Sequence, residues 1–101
     1  MTTETQTVII TSSETYASEE EMVAATSEVL ISSTEVDDAA MWDFIWETLQ
    51  AESTTRNFSN DNTITIQRTY NTEHSDQVKS YYDIAKTAWE QAGFTVDITY
   101  T

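Results

Sequence analysis

The fold of this chain is decided by residues 72–100, TEHSDQVKSYYDIAKTAWEQAGFTVDITY, which predict a helix followed directly by a strand. The helix is expected from about Glu73 to Ala92, with Thr72 as its N-terminal cap. Its apolar side chains recur at helical spacing and form one stripe: Val78, Tyr81, Tyr82, Ala85, Ala88, Trp89 and Ala92. Gly93 stands where a left-handed C-terminal cap belongs. The residues after it alternate between apolar and polar, as in a strand with one buried face: Phe94, Val96, Ile98 and Tyr100 are the apolar ones.

Three further strands are predicted upstream of this stretch. The clearest, at about 63–70, has an apolar face made by Ile64, Ile66 and Tyr70. Arg68 falls on the same face, which favours a place near a sheet edge, with the stem packed and the charged head in water. Residues 54–58 are expected to pair with this strand through the turn formers at 59–62. The apolar run Val8-Ile9-Ile10 predicts a first strand at about 6–11.

Two more helices are predicted between the first strand and the hairpin. Ser18 and Glu21 form a capping box that starts one helix, and the polar run 32–34 ends it. The other runs from about 34–37 to Gln50. The predicted class is α+β, with a three- to four-stranded, mostly antiparallel sheet and two or three helices packed on one face. The element order matches a ferredoxin-like β-α-β-β-α-β arrangement with an extra N-terminal helix. With one glycine and no proline, no linker is evident, and residues 1–101 are expected to form a single domain.

Charge is the most informative feature of the composition. The chain of 101 residues carries a net charge of −14, and residues 1–55 contain twelve acidic residues and no Lys or Arg. This balance disfavours direct binding to nucleic acid or to an anionic membrane. The chain has no cysteine, and its N-terminus has neither the basic nor the apolar region of a signal peptide. We therefore expect a cytoplasmic protein.

Catalytic and metal-binding patterns are weak. Glu73-His74-Ser75-Asp76 contains the residue types of a hydrolytic triad, but neighbours at a helix start point in different directions. Residues 57–68 share the Asn, Ser and Asp content of a calcium loop, yet they lack its central glycine and its final glutamate. The pairs Glu19/Glu20 and Asp37/Asp38 fall in stretches that are predicted to be exposed helix starts. We expect no enzyme activity, no catalytic residue, no bound metal and no cofactor.

The helix predicted for 34–50 has an unusually wide apolar face. It is made by Met41, Trp42, Phe44, Ile45, Trp46 and Leu49 and covers roughly 200° of arc at 100° per residue. A face of little more than about 100° is enough to cover a core. The excess is explained either by burial between other elements or by a partner, because Trp and Phe are favoured anchors at interfaces. On the second interpretation the partner-binding residues are Met41, Phe44 and Trp46.

The leading functional hypothesis is a small binding protein whose acidic face engages a basic surface of another protein and blocks it. A site that binds nucleic acid also attracts any other rigid array of negative charge. In size, acidity and lack of cysteine the chain resembles small phage proteins that inhibit host nucleases, restriction systems or polymerases. This resemblance implies a DNA-mimic inhibitor that acts in the host cytoplasm on a basic, nucleic-acid-binding protein. The expected contact residues are Glu19, Glu20, Glu21, Glu28, Glu35, Asp37, Asp38, Asp43 and Glu47.

Three alternatives remain open at this level. The chain is a small viral structural, assembly or accessory subunit that associates through its aromatic helix or a sheet edge, with a second copy as a further candidate partner. It is a halophilic protein whose acidity serves solubility in high salt. The plainest interpretation is a solvated acidic surface with no specific partner.

Overall fold

The computed structural model describes residues 2–32 and 53–101. Within these ranges the elements follow one another as β1 (Thr3–Thr11), α1 (Glu19–Ser32), β2 (Ser53–Ser59), β3 (Thr63–Asn71), α2 (Ser75–Gln91) and β4 (Thr95–Tyr100). A short 3₁₀ turn, Thr72–His74, leads into α2. Neither helix of the described ranges is long and apolar enough to cross a membrane.

The four strands form one antiparallel sheet in the order β2-β3-β1-β4. The two inner strands pair along their whole length, with Val8 opposite Ile66 and Ile10 opposite Ile64. On its other side β1 pairs with β4, where Ile10 lies opposite Val96. The predicted α+β class with an antiparallel sheet is confirmed, and so is the hairpin between β2 and β3.

The number of helices in the described ranges agrees with the expectation of two or three. Residues 2–32 and 53–101 contain two α-helices. The first predicted helix is present as α1, whereas the helix predicted for 34–50 lies outside the described residues. The ferredoxin-like arrangement with an extra helix is therefore not confirmed.

The core lies between the sheet and the two helices. Alternation along β1 buries Gln6, Val8 and Ile10 completely. Both helices contribute to the same cluster, whose buried members are Val8, Ile10, Met22, Leu30, Ile64, Tyr70, Val78, Tyr82, Ala85, Ala88, Trp89 and Val96. The indole Nε1 of Trp89 donates to the carbonyl oxygen of Thr26 at 2.9 Å, which ties α2 to α1.

The helix ends show how local sequence sets the element boundaries. At the start of α1 the Glu21 amide donates to Ser18 Oγ at 3.3 Å, while the Glu21 carboxylate accepts from the Ala17 amide at 3.1 Å. The predicted capping box is thus present, with its return bond one residue earlier than usual. The predicted cap at Thr72 is wrong, because the Asn71 side chain accepts from the Glu73 amide and starts the 3₁₀ turn. An Asn side chain accepts such bonds readily from extended backbone.

The end of α2 is a Schellman motif. Gly93 has φ +101°, and its amide donates to the Glu90 carbonyl at 3.1 Å. The Phe94 amide donates to the Trp89 carbonyl at 3.0 Å. These two bonds satisfy carbonyls that have no partner further along the helix, as the sequence predicted.

The β2–β3 turn is anchored to the loop that precedes α1. Asn60 and Asp61 both have positive φ, 54° and 59°, which asparagine and aspartate tolerate better than other side chains. The Asp61 carbonyl accepts from the Tyr16 amide, and the Asn62 carbonyl accepts from the Ser12 amide, both at 2.8 Å. The turn therefore fixes the chain that leads into α1.

Candidate functional site

The acidic residues predicted to bind a partner lie on α1 as far as the structure describes them. Glu19, Glu20 and Glu21 fill the first turn, and Glu28 follows two turns later. Carboxylates near a helix N-terminus interact favourably with the helix dipole. The helix has no Lys or Arg, and we use the name acidic α1 face for its four glutamates, Glu19, Glu20, Glu21 and Glu28. At 100° per residue Glu20, Glu21 and Glu28 lie within about 100° of arc, and Glu19 lies further round the helix, next to Arg56 of β2.

Two of these four carboxylates have structural partners. Glu19 Oε1 lies 3.6 Å from Arg56 Nε of β2, in a pair whose side chains are 39% and 49% exposed. A pair this exposed contributes little to stability. Glu21 caps the helix as described above. Glu20 and Glu28 are exposed and form no ion pair within residues 2–32 and 53–101, so their charge is available to a partner.

The structure does not describe the remaining predicted contact residues. Glu35, Asp37, Asp38, Asp43 and Glu47 lie outside the described residues, and so do Met41, Phe44 and Trp46 of the alternative aromatic surface. The structure therefore places four of the nine predicted acidic residues on one helix.

A half-buried polar cluster that the sequence pattern did not reveal centres on Glu4. Its Oε1 accepts from the Tyr70 hydroxyl at 2.6 Å and from Ser75 Oγ at 2.9 Å. Its Oε2 lies 3.7 Å from Lys79 Nζ. The Tyr70 hydrogen bond, helped by Ser75 and Lys79, holds the pKa of Glu4 below its usual value although burial opposes this. Burial, followed by the bond to Glu4, raises the pKa of Tyr70 well above that of a free tyrosine.

Arg68 corrects a sequence prediction. It was expected near a sheet edge with its head in water, but β3 is an inner strand. Its Nε and Nη1 atoms are buried and have no hydrogen-bond acceptor among the described residues, and its guanidinium lies 5.4 Å from the centre of the Tyr82 ring. On β1 the partner of Arg68 is Gln6, whose Oε1 is also buried and has no donor within the same ranges. The cation–π contact offsets part of the cost of burying this charge.

The weak catalytic and metal patterns gain no support from the geometry. Ser75 Oγ donates to Glu4, and His74 Nε2 lies 3.7 Å from Glu73 Oε1. Residues 57–68 span the end of β2, the turn and the first part of β3, and the side chains on the two strands alternate between the faces of the sheet. Within residues 2–32 and 53–101, no group of three or more His, Cys, Asp or Glu side chains is placed to hold a metal ion.

A groove lies between the C-terminal halves of α1 and α2. Its volume is about 600 Å³, and it is lined by Ala25, Glu28, Val29, Ser32, Ala88, Gln91, Ala92 and Phe94. We call it the α1–α2 groove. Glu28 thus belongs both to the acidic α1 face and to the wall of this groove.

The sheet face opposite the helices is polar and nearly uncharged. Threonine occupies most of its positions, and Thr5 and Thr69 lie within 3.2 Å of each other through their hydroxyls on neighbouring strands. Asp97 is the one charged residue that the described strands place on this face. The negative charge of the described chain is therefore concentrated on the helical side and the loops.

Comparison with known proteins finds distant structural neighbours, among them two peptidases. No family model and no curated protein matches the chain. A dinuclear metal-binding peptidase of the M20 family from Bacillus subtilis is 11% identical with a TM-score of 0.46, and the chain spans 25% of its length. A tripeptidase from Staphylococcus aureus is 13% identical with a TM-score of 0.46, and the chain spans 28% of it. In both cases nearly all of this chain is covered, 97% and 98% respectively.

Proposed function

We propose that this chain is a small, non-enzymatic, cytoplasmic binding protein that covers a basic, nucleic-acid-binding surface of another protein and blocks it. The supporting observation is the acidic α1 face, where four carboxylates lie on one helix without an intervening base. A rigid helix holds such charges at fixed spacing, and a site built for phosphates attracts them for the same Coulombic reason.

The position of these carboxylates relative to the core also favours this function. The side chains that α1 buries are Met22, Thr26 and Leu30, and none of the four glutamates is among them. Their charge is therefore not required by the packing of the helix on the sheet. The ferredoxin-like arrangement belongs to the same proposal, with the strand order β2-β3-β1-β4 in its favour.

A structural or assembly subunit is the second candidate. The edges of the described sheet are β2 and β4, and an exposed edge strand presents backbone groups to a neighbouring chain. Dimerisation through β4 would leave the acidic α1 face free. Sedimentation of the purified protein separates this candidate from the first one.

The test of the first candidate is capture from host lysate with competition by nucleic acid. Wild-type protein is expected to retain a basic, nucleic-acid-binding protein, which duplex DNA releases. The comparison variant replaces Glu19, Glu20, Glu21 and Glu28 with Gln, which still permits capping at position 21. Its matched control carries four neutralised carboxylates elsewhere, Glu73→Gln, Asp76→Asn, Asp83→Asn and Asp97→Asn. Equal capture by both variants would contradict the proposal.

A further inference from the structure

The α1–α2 groove combines small or apolar lining residues with one acidic side chain. Its small or apolar lining residues are Ala25, Val29, Ala88, Ala92 and Phe94, and the acidic one is Glu28. Alanine at three of these positions leaves space that larger side chains would fill. A volume of about 600 Å³ is within the roughly 300–1,000 Å³ that is common for binding pockets.

The rim of the groove carries charge of one sign. Glu28 is exposed and belongs to the lining. Glu21 lies on the same face of α1, seven residues or about 10 Å away along the helix axis. Ile31, 67% exposed, follows Glu28 by three residues and extends the apolar area beside it. Gln91, on the α2 side, is uncharged. The groove therefore offers apolar contacts and one carboxylate, Glu28, in its lining, and Glu21 lies two turns further along the same face of α1.

We infer that the α1–α2 groove binds a basic amphipathic helix of the partner protein. Apolar side chains of that helix enter the groove beside Val29 and Phe94, and its Lys or Arg side chains pair with Glu28 and Glu21. A helix in a groove uses this combination of apolar anchors at positions i, i+3, i+4 and i+7 with charged flanks. Charge complementarity selects a basic helix, because α1 has no basic residue and the chain as a whole carries −14. This inference rests on the proposed function, since that function supplies a basic partner.

A pair of designed peptides tests the inference directly. The first is a helical peptide of about 18 residues with Leu on one face and Lys on the other, and the second has Glu in place of Lys. We expect the Leu/Lys peptide to bind and the Leu/Glu peptide not to bind, as measured by fluorescence anisotropy of labelled peptide.

The double variant Ala25→Gln, Ala92→Gln puts polar side chains into the groove at positions that are not fully buried. It is expected to weaken binding by about tenfold, equivalent to about 1.4 kcal/mol. Ala24→Gln, on an exposed position of α1 outside the groove, is the matched control and leaves affinity unchanged.

Two peptide results overturn the inference. One is failure of the Leu/Lys peptide to bind wild-type protein, and the other is equal binding by the groove variant and the Ala24→Gln control. The double variant of Glu19 and Glu20 to Gln keeps the groove together with Glu21 and Glu28, so it separates the inference from the proposed function. If this double variant loses the lysate partner while the groove variant retains it, the inference fails and the proposed function stands. If neither the charge variants nor added salt change capture, the proposed function is wrong. The inference that the groove binds a basic helix is then wrong as well.

Discussion

The hydroxyl of Tyr70 lies 2.6 Å from Glu4 Oε1, and this contact joins the two inner strands at one end of the sheet. Tyr70 is fully buried, whereas 17% of the Glu4 side chain is exposed. A hydrogen bond to a charged group in such a place contributes more than a neutral one, because water solvates the carboxylate poorly. This cluster is where single side chains have their largest expected effect on stability.

Tyr70→Phe is predicted to lower the free energy of unfolding by about 1.5–3 kcal/mol, the range for hydrogen bonds to charged groups. The ring stays in the core, so the loss reports on the hydroxyl alone. Urea unfolding followed by circular dichroism measures it. Tyr16→Phe is the control, because the Tyr16 hydroxyl has only a 3.4 Å contact with Ser12 Oγ. Equal effects of the two substitutions would show that the Tyr70 hydrogen bond contributes no more to the free energy of unfolding than the long Tyr16 contact.

The same cluster predicts a dependence of stability on pH. The pKa of Glu4 is lower in the folded protein than its ordinary value of 4.5, with the Tyr70 bond as the main cause. Its contribution is therefore complete above about pH 4.5 and is lost as the pH falls through the lowered folded pKa. Glu4→Gln is expected to make the free energy of unfolding less dependent on pH in the acid range. Urea unfolding between about pH 3 and pH 6 measures this dependence. An unchanged dependence would contradict this assignment.

Sequence alone identified one side of this cluster and missed the other. Tyr70 was placed on the inward face of its strand, which is correct. Glu4 was missed because the first strand was predicted to begin at residue 6, although extending the alternation back from Gln6 places residue 4 on the inward face. The contact itself requires the pairing of β1 with β3, which joins residues 66 positions apart. Local patterns carry no information on such a pairing.

At the scale of elements, sequence was informative wherever a boundary depends on adjacent residues. The capping box of α1 and the glycine cap of α2 are both present as predicted. The cap predicted at Thr72 is wrong, because Asn71 caps the 3₁₀ turn. The helix α2 itself begins at Ser75, after His74, which makes no side-chain capping bond. The position of Arg68 was misjudged because strand order cannot be derived from the strand's own pattern.

Gly93→Ala is predicted to destabilise the fold by about 1–2 kcal/mol, the cost of the left-handed region for a side chain with Cβ. Space is not the cause, because a Cβ atom at this position would meet nothing within 4 Å. Gly93→Asn is expected to lower stability less than Gly93→Ala, since asparagine tolerates this conformation. Thermal unfolding of the two variants beside wild type measures the difference. Equal loss for Ala and Asn would indicate a cause other than backbone conformation.

For the whole molecule, charge and fold are separate properties. The described core is apolar except for a few buried polar residues, while the acidic α1 face lies outside it. A net charge of −14 repels itself in so small a body, so neutralising part of it is expected to preserve folding. Composition alone revealed the acidity. It did not reveal that the threonine face of the sheet is nearly free of charge, because this follows from the register of the four strands.

The central claim is that the acidic α1 face, and not the overall acidity, binds the partner. The measurement that tests it most directly is the affinity of the captured partner for wild-type protein, for the Glu19, Glu20, Glu21 and Glu28 to Gln variant, and for the matched control with four carboxylates neutralised elsewhere. Each is measured at physiological salt and at about 0.5 M salt, where exposed charges are screened more strongly. We predict that the α1 variant loses most of the affinity and most of the salt dependence, while the control retains both. Equal affinity and equal salt dependence of the two variants would contradict the claim.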